Sequence, residues 1–190
     1  VNFLQVFFAS LFILISGVSC RFSRRNAKRG LLLLAFGLGV TLVTYVFDKN
    51  SVVMFGILHF LGTAALIFAA LRPMLDKIPL AVQPFLYIIG AVSTWHIPDR
   101  IYNVKYLGFL GFRSGNFISS DYFPVLPNIF IYLLGTWIGV YVVNRKMPGW
   151  FYRIRCKFFE TVGRNTLIIY LAHQPVLMGL AMALDRWILA

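Results

Sequence analysis

SVVMFGILHFLGTAALIFAAL, residues 51–71, decides the fold class. The stretch runs for 21 positions without a charged side chain and holds one imidazole, His59. As a helix rising about 1.5 Å per residue it would be about 31 Å long, the thickness of a bilayer's hydrocarbon core. A spanning β-strand needs only about ten residues and alternates apolar with polar ones, a pattern this stretch lacks.

Five further runs of the same kind flank it. They are VNFLQVFFASLFILISGVS (1–19), LLLLAFGLGVTLVTYVF (31–47), LAVQPFLYIIGAVSTW (80–95), PNIFIYLLGTWIGVYVV (127–143) and TVGRNTLIIYLAHQPVLMGLAMAL (161–184). Over the 190 residues, 59% are hydrophobic and 13% charged. A soluble domain carries about 45–50% apolar and about 25% charged residues. The reading is an all-α, polytopic transmembrane helix bundle of about six spanning helices, in a single domain over residues 1–190. The chain opens at Val1 inside an apolar run, with no basic segment before it, so this run is not a signal peptide. Opening without Met, it is expected to lack an N-terminal helix that would precede Val1.

The formal net charge is +12, from 18 Lys and Arg against 6 Asp and Glu. A basic balance of this size can mark a nucleic-acid binder. Here the basic residues cluster between apolar runs, where they act as orientation signals and contacts for anionic lipid, and nucleic acid is set aside. One side of the map holds Arg21, Arg24, Arg25, Lys28, Arg29, Arg72, Lys77, Arg145, Lys146, Arg153, Arg155, Lys157 and Arg164. The other side holds Lys49, Arg100, Lys105, Arg113 and Arg186. The richer side is predicted to be cytoplasmic, which makes the chain a multi-pass protein of the cell (inner) membrane. Cys20 and Cys156 both map to that reducing face and are expected to remain thiols. They read as small interfacial residues, with palmitoylation as the alternative. No Cys or His cluster has metal-ligand spacing.

Polar side chains inside an apolar run need partners or a role. His59 maps roughly 12 Å below the outer end of its span, and His173 can share that level. Each is either a satisfied structural histidine or a site residue. Pro175 follows Gln174, leaves the Leu171 carbonyl without its helical donor, and kinks the last span beside His173. Gly135 and Gly139 form a GxxxG, mostly a sign of close helix packing. The longest connection, about 96–126, is rich in aromatic residues and glycine. It is either a lid over the bundle or an interfacial aromatic belt. His96, with Asp99 and Arg100 after it, reads as solvated or interfacial. Asp121, just before Tyr122-Phe123-Pro124, can orient a histidine or meet a substrate amine or hydroxyl. It can equally be a surface charge or the cap of the turn into the next helix.

FFASLFILISGVSCRFSRR (7–25), FGILHFLGTA (55–64), SDYFPVLPNIFIYLLGTWIG (120–139) and VGRNTLIIYLAHQPVL (162–177) occur in that order. Together they resemble the bacterial membrane-protein family related to the catalytic domain of heparan-alpha-glucosaminide N-acetyltransferase. The resemblance implies a transmembrane acyltransferase that takes an acetyl or acyl group from acetyl-CoA or another acyl-CoA. The acceptor it implies is the amine or hydroxyl of a saccharide. Members of the family open with an Asp-x-x-Arg-Gly-like helix, and the lysosomal enzyme's proposed catalytic histidine lies in that early region. No residue of this chain matches either, so none inherits the role. His59 and His173 are the bases on hand, and Asp121 is the outer residue able to orient one of them. Arg24, Arg25, Lys28, Arg153 and Arg155 are candidates for the CoA phosphates, with topology and lipid contact as their other reading. A small transporter or channel, and a non-catalytic membrane subunit, are the alternative functions; the absence of an inverted repeat weighs against a transporter. A homo-oligomer is compatible with all of these.

Overall fold

The computed structural model describes residues 3–47, 52–104, 106–115, 119 and 121–153. It divides into two compact units, residues 1–146 and 147–190. Within the first unit the helices are α1 (Phe3–Phe22), α2 (Asn26–Phe47), α3 (Ile57–Leu75), α4 (Gln83–Thr94) and α5 (Val125–Val143). In the second, α6 (Gly149–Arg153) is a short exposed helix. The span predicted at 161–184, with His173 and Pro175, lies outside the described residues, as do Arg155 and Cys156.

The all-α membrane-bundle reading holds. Helix α2 over Asn26–Val46, α3 and α5 are each long and apolar enough to cross a bilayer, and Val6–Phe22 of α1 is a slightly shorter apolar helix. The α4 run is shorter than the sequence predicts. Its 12 residues make a rod of only about 18 Å, because turns occupy residues 79–82 before it and 95–99 after it. Leu38, Leu42 and Val46 on α2, and Phe85, Ile89 and Val92 on α4, are exposed. Exposed apolar rows of this kind cost little where hydrocarbon is the solvent.

Helix α5 is central, with α1 and α4 packed on it, while α2 packs on α3. Gly135 is where α1 comes closest: a Cβ there would run into the Leu14 carbonyl, so only glycine lets the two backbones meet. This confirms close packing as the meaning of the GxxxG. Gly17 faces Tyr132 and Thr136 while Gly139 faces Val18 and Arg21, so α1 and α5 run parallel. Gly30 meets Gly62 and Gly37 meets His59, so α2 and α3 are antiparallel. Gly90 meets Phe130, and Trp137 Nε1 donates to the Leu80 carbonyl at 2.8 Å, so α4 and α5 are antiparallel too. These directions alternate as the six-span map requires. They gather the Arg21–Arg29, Arg72–Lys77 and Arg145–Lys146 segments at one end of the unit. The core between the ends is apolar and aromatic, with Phe60 and Tyr132 edge to face at 6.5 Å and Phe68, Ala64 and Ile13 fully enclosed.

Candidate functional site at the start of helix 3

Helix α3 begins at Ile57, six residues later than the apolar run from which it is built. Val53 and Phe55 are drawn into other pairings. The Thr41 hydroxyl donates to the Val53 carbonyl at 2.6 Å, and Phe55 forms a parallel bridge with Tyr122. His59 is therefore in the first helical turn, roughly 3 Å along the axis from the helix start. A hydropathy window cannot see this, because Val53 and Phe55 are as apolar in an extended segment as in a helix.

The long connection folds over this end. Phe123 N–H donates to the Phe55 carbonyl at 3.0 Å, and Met54 N–H donates to Ser119 Oγ at 3.1 Å. The Tyr122 hydroxyl donates to the Gly108 carbonyl at 2.6 Å, pinning a 3-10 turn at Gly108–Leu110. Phe109 packs within 6.1 Å of Phe55, which in turn sits 5.6 Å from the His59 ring. Burial pushes the Tyr122 phenol up to about 12, against the opposing pull of the Arg113 guanidinium, which lies 5.8 Å from its ring. The inner side of the connection is thus a docked cap, while Tyr106 and Ile101 point outward.

Asp121 is part of that docking. Its Oδ2 accepts from Ile57 N–H at 3.2 Å, the first amide of α3, where a negative charge also meets the positive end of the helix dipole. It caps the start of α3, not of α5. Ring and carboxylate meet the same first turn, yet among the described residues they share no hydrogen bond.

His59 is 5% exposed. Its Nε2 lies 3.3 Å from Thr41 Oγ1, and its Nδ1 is buried with no hydrogen-bond partner among the described residues. Gly37 lies against the same ring edge, where an added Cβ would stand 3.0 Å from Nδ1. Thr41 and Gly37 were not singled out from the sequence. Their signal was present, since Gly37, Thr41 and Thr44 recur at helical spacing in an otherwise apolar run and so share one face. His96 is exposed and 3.4 Å from Asp99 Oδ2, in keeping with a solvated residue. It borders a cleft of about 270 Å³ between α4 and α5, otherwise walled by apolar side chains and Tyr87. That cleft does not include His59.

The opposite end is built differently. Arg24, Arg25 and Lys28 are exposed in the α1–α2 turn and the first turn of α2. Arg153 is exposed at the end of α6 in the second unit. Arg21, absent from the candidate phosphate ligands, has a side chain only 6% exposed. It donates from Nε to the Thr136 carbonyl at 3.1 Å, pairs with Asp76 at 2.5 Å and lies 5.1 Å from the Phe68 ring centre. Cys20 keeps a free thiol that is buried in the protein, 2.5 Å from the Tyr132 hydroxyl. That enclosure removes the access palmitoylation requires.

The family profile described as heparan-alpha-glucosaminide N-acetyltransferase, catalytic, matches residues 1–175. The chain belongs to that family. The match takes in α1 to α6, His59, Asp121 and the basic turn, so all the features described above fall within the family's domain. No curated protein and no solved structure gives a significant match. Family and fold together make this a membrane protein with an acetyltransferase-like domain.

Proposed function

We propose that the protein is an acyl-CoA-dependent acyltransferase of the cell (inner) membrane that acylates an amine or hydroxyl of a saccharide. The observation that carries the reading is the buried, half-partnered imidazole of His59, in the first turn of a helix whose start is met by Phe123 and Asp121, in a chain of this family. A buried imidazole with one nitrogen unpartnered is costly as pure structure and useful as a base. In the reaction the acceptor's nitrogen or oxygen attacks the thioester carbonyl and a new C–N or C–O bond forms. The acceptor proton passes to His59, the C–S bond breaks, and the CoA thiolate leaves and is reprotonated. Asp121 acts by holding the first turn of α3, and with it the ring. His173 remains a second candidate base.

The exposed Arg24, Arg25 and Lys28 suit the phosphates of CoA, with Arg153 and Arg155 as the candidates of the second unit. Arg72, at the basic end of α3, is 13 residues from His59, about 20 Å along the helix. A donor whose phosphates rest at the basic end therefore has to extend along the bundle to bring its thioester to the ring.

The test is acyl transfer by purified protein in lipid vesicles, with acetyl-CoA and a glucosamine-terminated saccharide. Free CoA thiol and acetylated saccharide should appear together. His59→Gln should lower the rate by about 10²–10⁴-fold, the range for losing a general base. Absence of CoA release and of acetylated product would overturn the acyltransferase reading, and an unchanged rate in His59→Gln would remove His59 from it.

A further inference from the structure

The polar contact of the His59 ring and the glycine against its other nitrogen both come from one face of α2, with the Thr41 hydroxyl at Nε2 and Gly37 beside Nδ1. The Thr41 hydroxyl has a single proton. Its closest acceptor is the Val53 carbonyl at 2.6 Å, against 3.3 Å to the Gly37 carbonyl and 3.3 Å to His59 Nε2. Once that proton is given to Val53, the oxygen faces the ring with lone pairs, and Nε2 must carry the hydrogen. The opposite tautomer would take the proton away from the Val53 carbonyl and leave a buried N–H donor at Nδ1 with nothing to bond. A stranded donor of that kind is the rarest sort of buried polar group.

We propose that Thr41 is the positioning residue of His59, holding the imidazole in its Nε2–H form so that Nδ1, on the ring edge packed against Gly37, is the proton-accepting atom. This rests on the acyltransferase reading for its use, but not for its geometry. Gly37 completes the arrangement: a side chain there would press on the ring at Nδ1, Cε1 and Cγ, all within 3.1 Å of the added Cβ. The element that packs along α3 thus supplies both the group that sets the tautomer and the glycine that lets the ring sit where it does.

The experiment is nitrogen NMR on the full chain in lipid vesicles with ¹⁵N-labelled histidine, His59 being assigned by difference from His59→Gln. The wild type should show a protonated, pyrrole-like Nε2 and a bare, pyridine-like Nδ1. Thr41→Ser, which keeps the hydroxyl, should retain that signature and the transfer rate. Thr41→Val, of the same shape without the hydroxyl, should give mixed tautomers and a rate about 10- to 100-fold lower, the usual cost of losing a histidine's orienting partner. Gly37→Ala should keep the tautomer and still lose transfer. A bare Nε2 in the wild type, or the wild-type signature in Thr41→Val, would overturn the proposal. So would full transfer by Gly37→Ala. Expected spectra combined with unchanged transfer in His59→Gln would instead refute the base role and leave the tautomer assignment standing.

Discussion

The two ends of the helical unit solve opposite problems. At the basic end, charge is abundant and mostly left to the surface: Arg24, Arg25 and Lys28 are exposed, and Asp76 in the Arg21 pair is about half exposed. At the His59 end the described polar groups are buried or half-buried, and several are matched to a backbone carbonyl or a helix terminus. The Val53 carbonyl takes Thr41, the Gly108 carbonyl takes Tyr122, and Asp121 takes the first amide of α3. Where water or lipid head groups are at hand, a charge needs no fixed partner, and where the environment is dry it does. Specific geometry is therefore concentrated at the His59 end, and exposed charge at the other.

Arg21 is the most enclosed charge described at the basic end, so replacing it should blur the comparison most. Arg21→Met removes the donor to Thr136 and the cation over Phe68, and leaves Asp76 with Arg72 at 3.6 Å as its remaining described partner. The half-exposed Asp76 contact contributes the least of the three. We expect a loss of about 2 kcal/mol, read as a fall of roughly 4–8 °C in thermal melting of the detergent-solubilised protein. A melting point unchanged in Arg21→Met would put this arginine with its exposed neighbours.

At the other end, Tyr122→Phe should cost about 1 kcal/mol at neutral pH through loss of the bond to Gly108. It should also change the alkaline limb. The folded protein keeps the Tyr122 proton until about pH 12, whereas the unfolded chain releases it near 10.0. The folded state then binds more protons in this window, and stability falls as pH rises from 10 to 12. Urea unfolding across that range should show a shallower decline in Tyr122→Phe than in the wild type.

Asp121→Asn tests the helix terminus. The amide oxygen still accepts from Ile57, but the charge at the positive end of α3 is gone, worth about 0.5 kcal/mol. The expected sign is slightly faster hydrogen exchange at the first turn of α3, measured by mass spectrometry, with the α1–α5 contact unaffected. The smallest effect on stability should come from the triple change Arg24→Gln, Arg25→Gln, Lys28→Gln, with melting within about 2 °C of the wild type. Under the proposed function it should still raise the KM for acetyl-CoA by about 3- to 10-fold and leave kcat nearly unchanged, since exposed phosphate contacts bind ground and transition states alike.

The parts of this molecule differed in how openly the sequence displayed them. Helices α1, α2, α3 and α5 were legible because an uncharged run of bilayer length has few other fates. Gly135 was legible as a packing residue because it forms a GxxxG with Gly139 inside such a run. The start of α3 was not, since hydropathy records that Val53 and Phe55 avoid water but not whether they are helical. Asp121 was visible as an acid near an aromatic cluster, but its partner, Ile57, is 64 residues away. Arg21 was hidden inside a basic cluster in which Arg24, Arg25 and Lys28 are exposed.

By itself the sequence determined the solvent, the class and the alternation of the helices, along with the segregation of basic residues to one end. These follow from composition and run length, which act locally and need no knowledge of neighbours. The tertiary structure alone decided which polar groups meet. It set Thr41 and Gly37 against the two edges of one imidazole, laid Tyr122 and Asp121 over the start of α3, and drew Arg21 inward. Such meetings depend on close approach between segments distant in the chain, and in a dry interior that approach decides whether a polar side chain is satisfied, stranded or ready to take a proton.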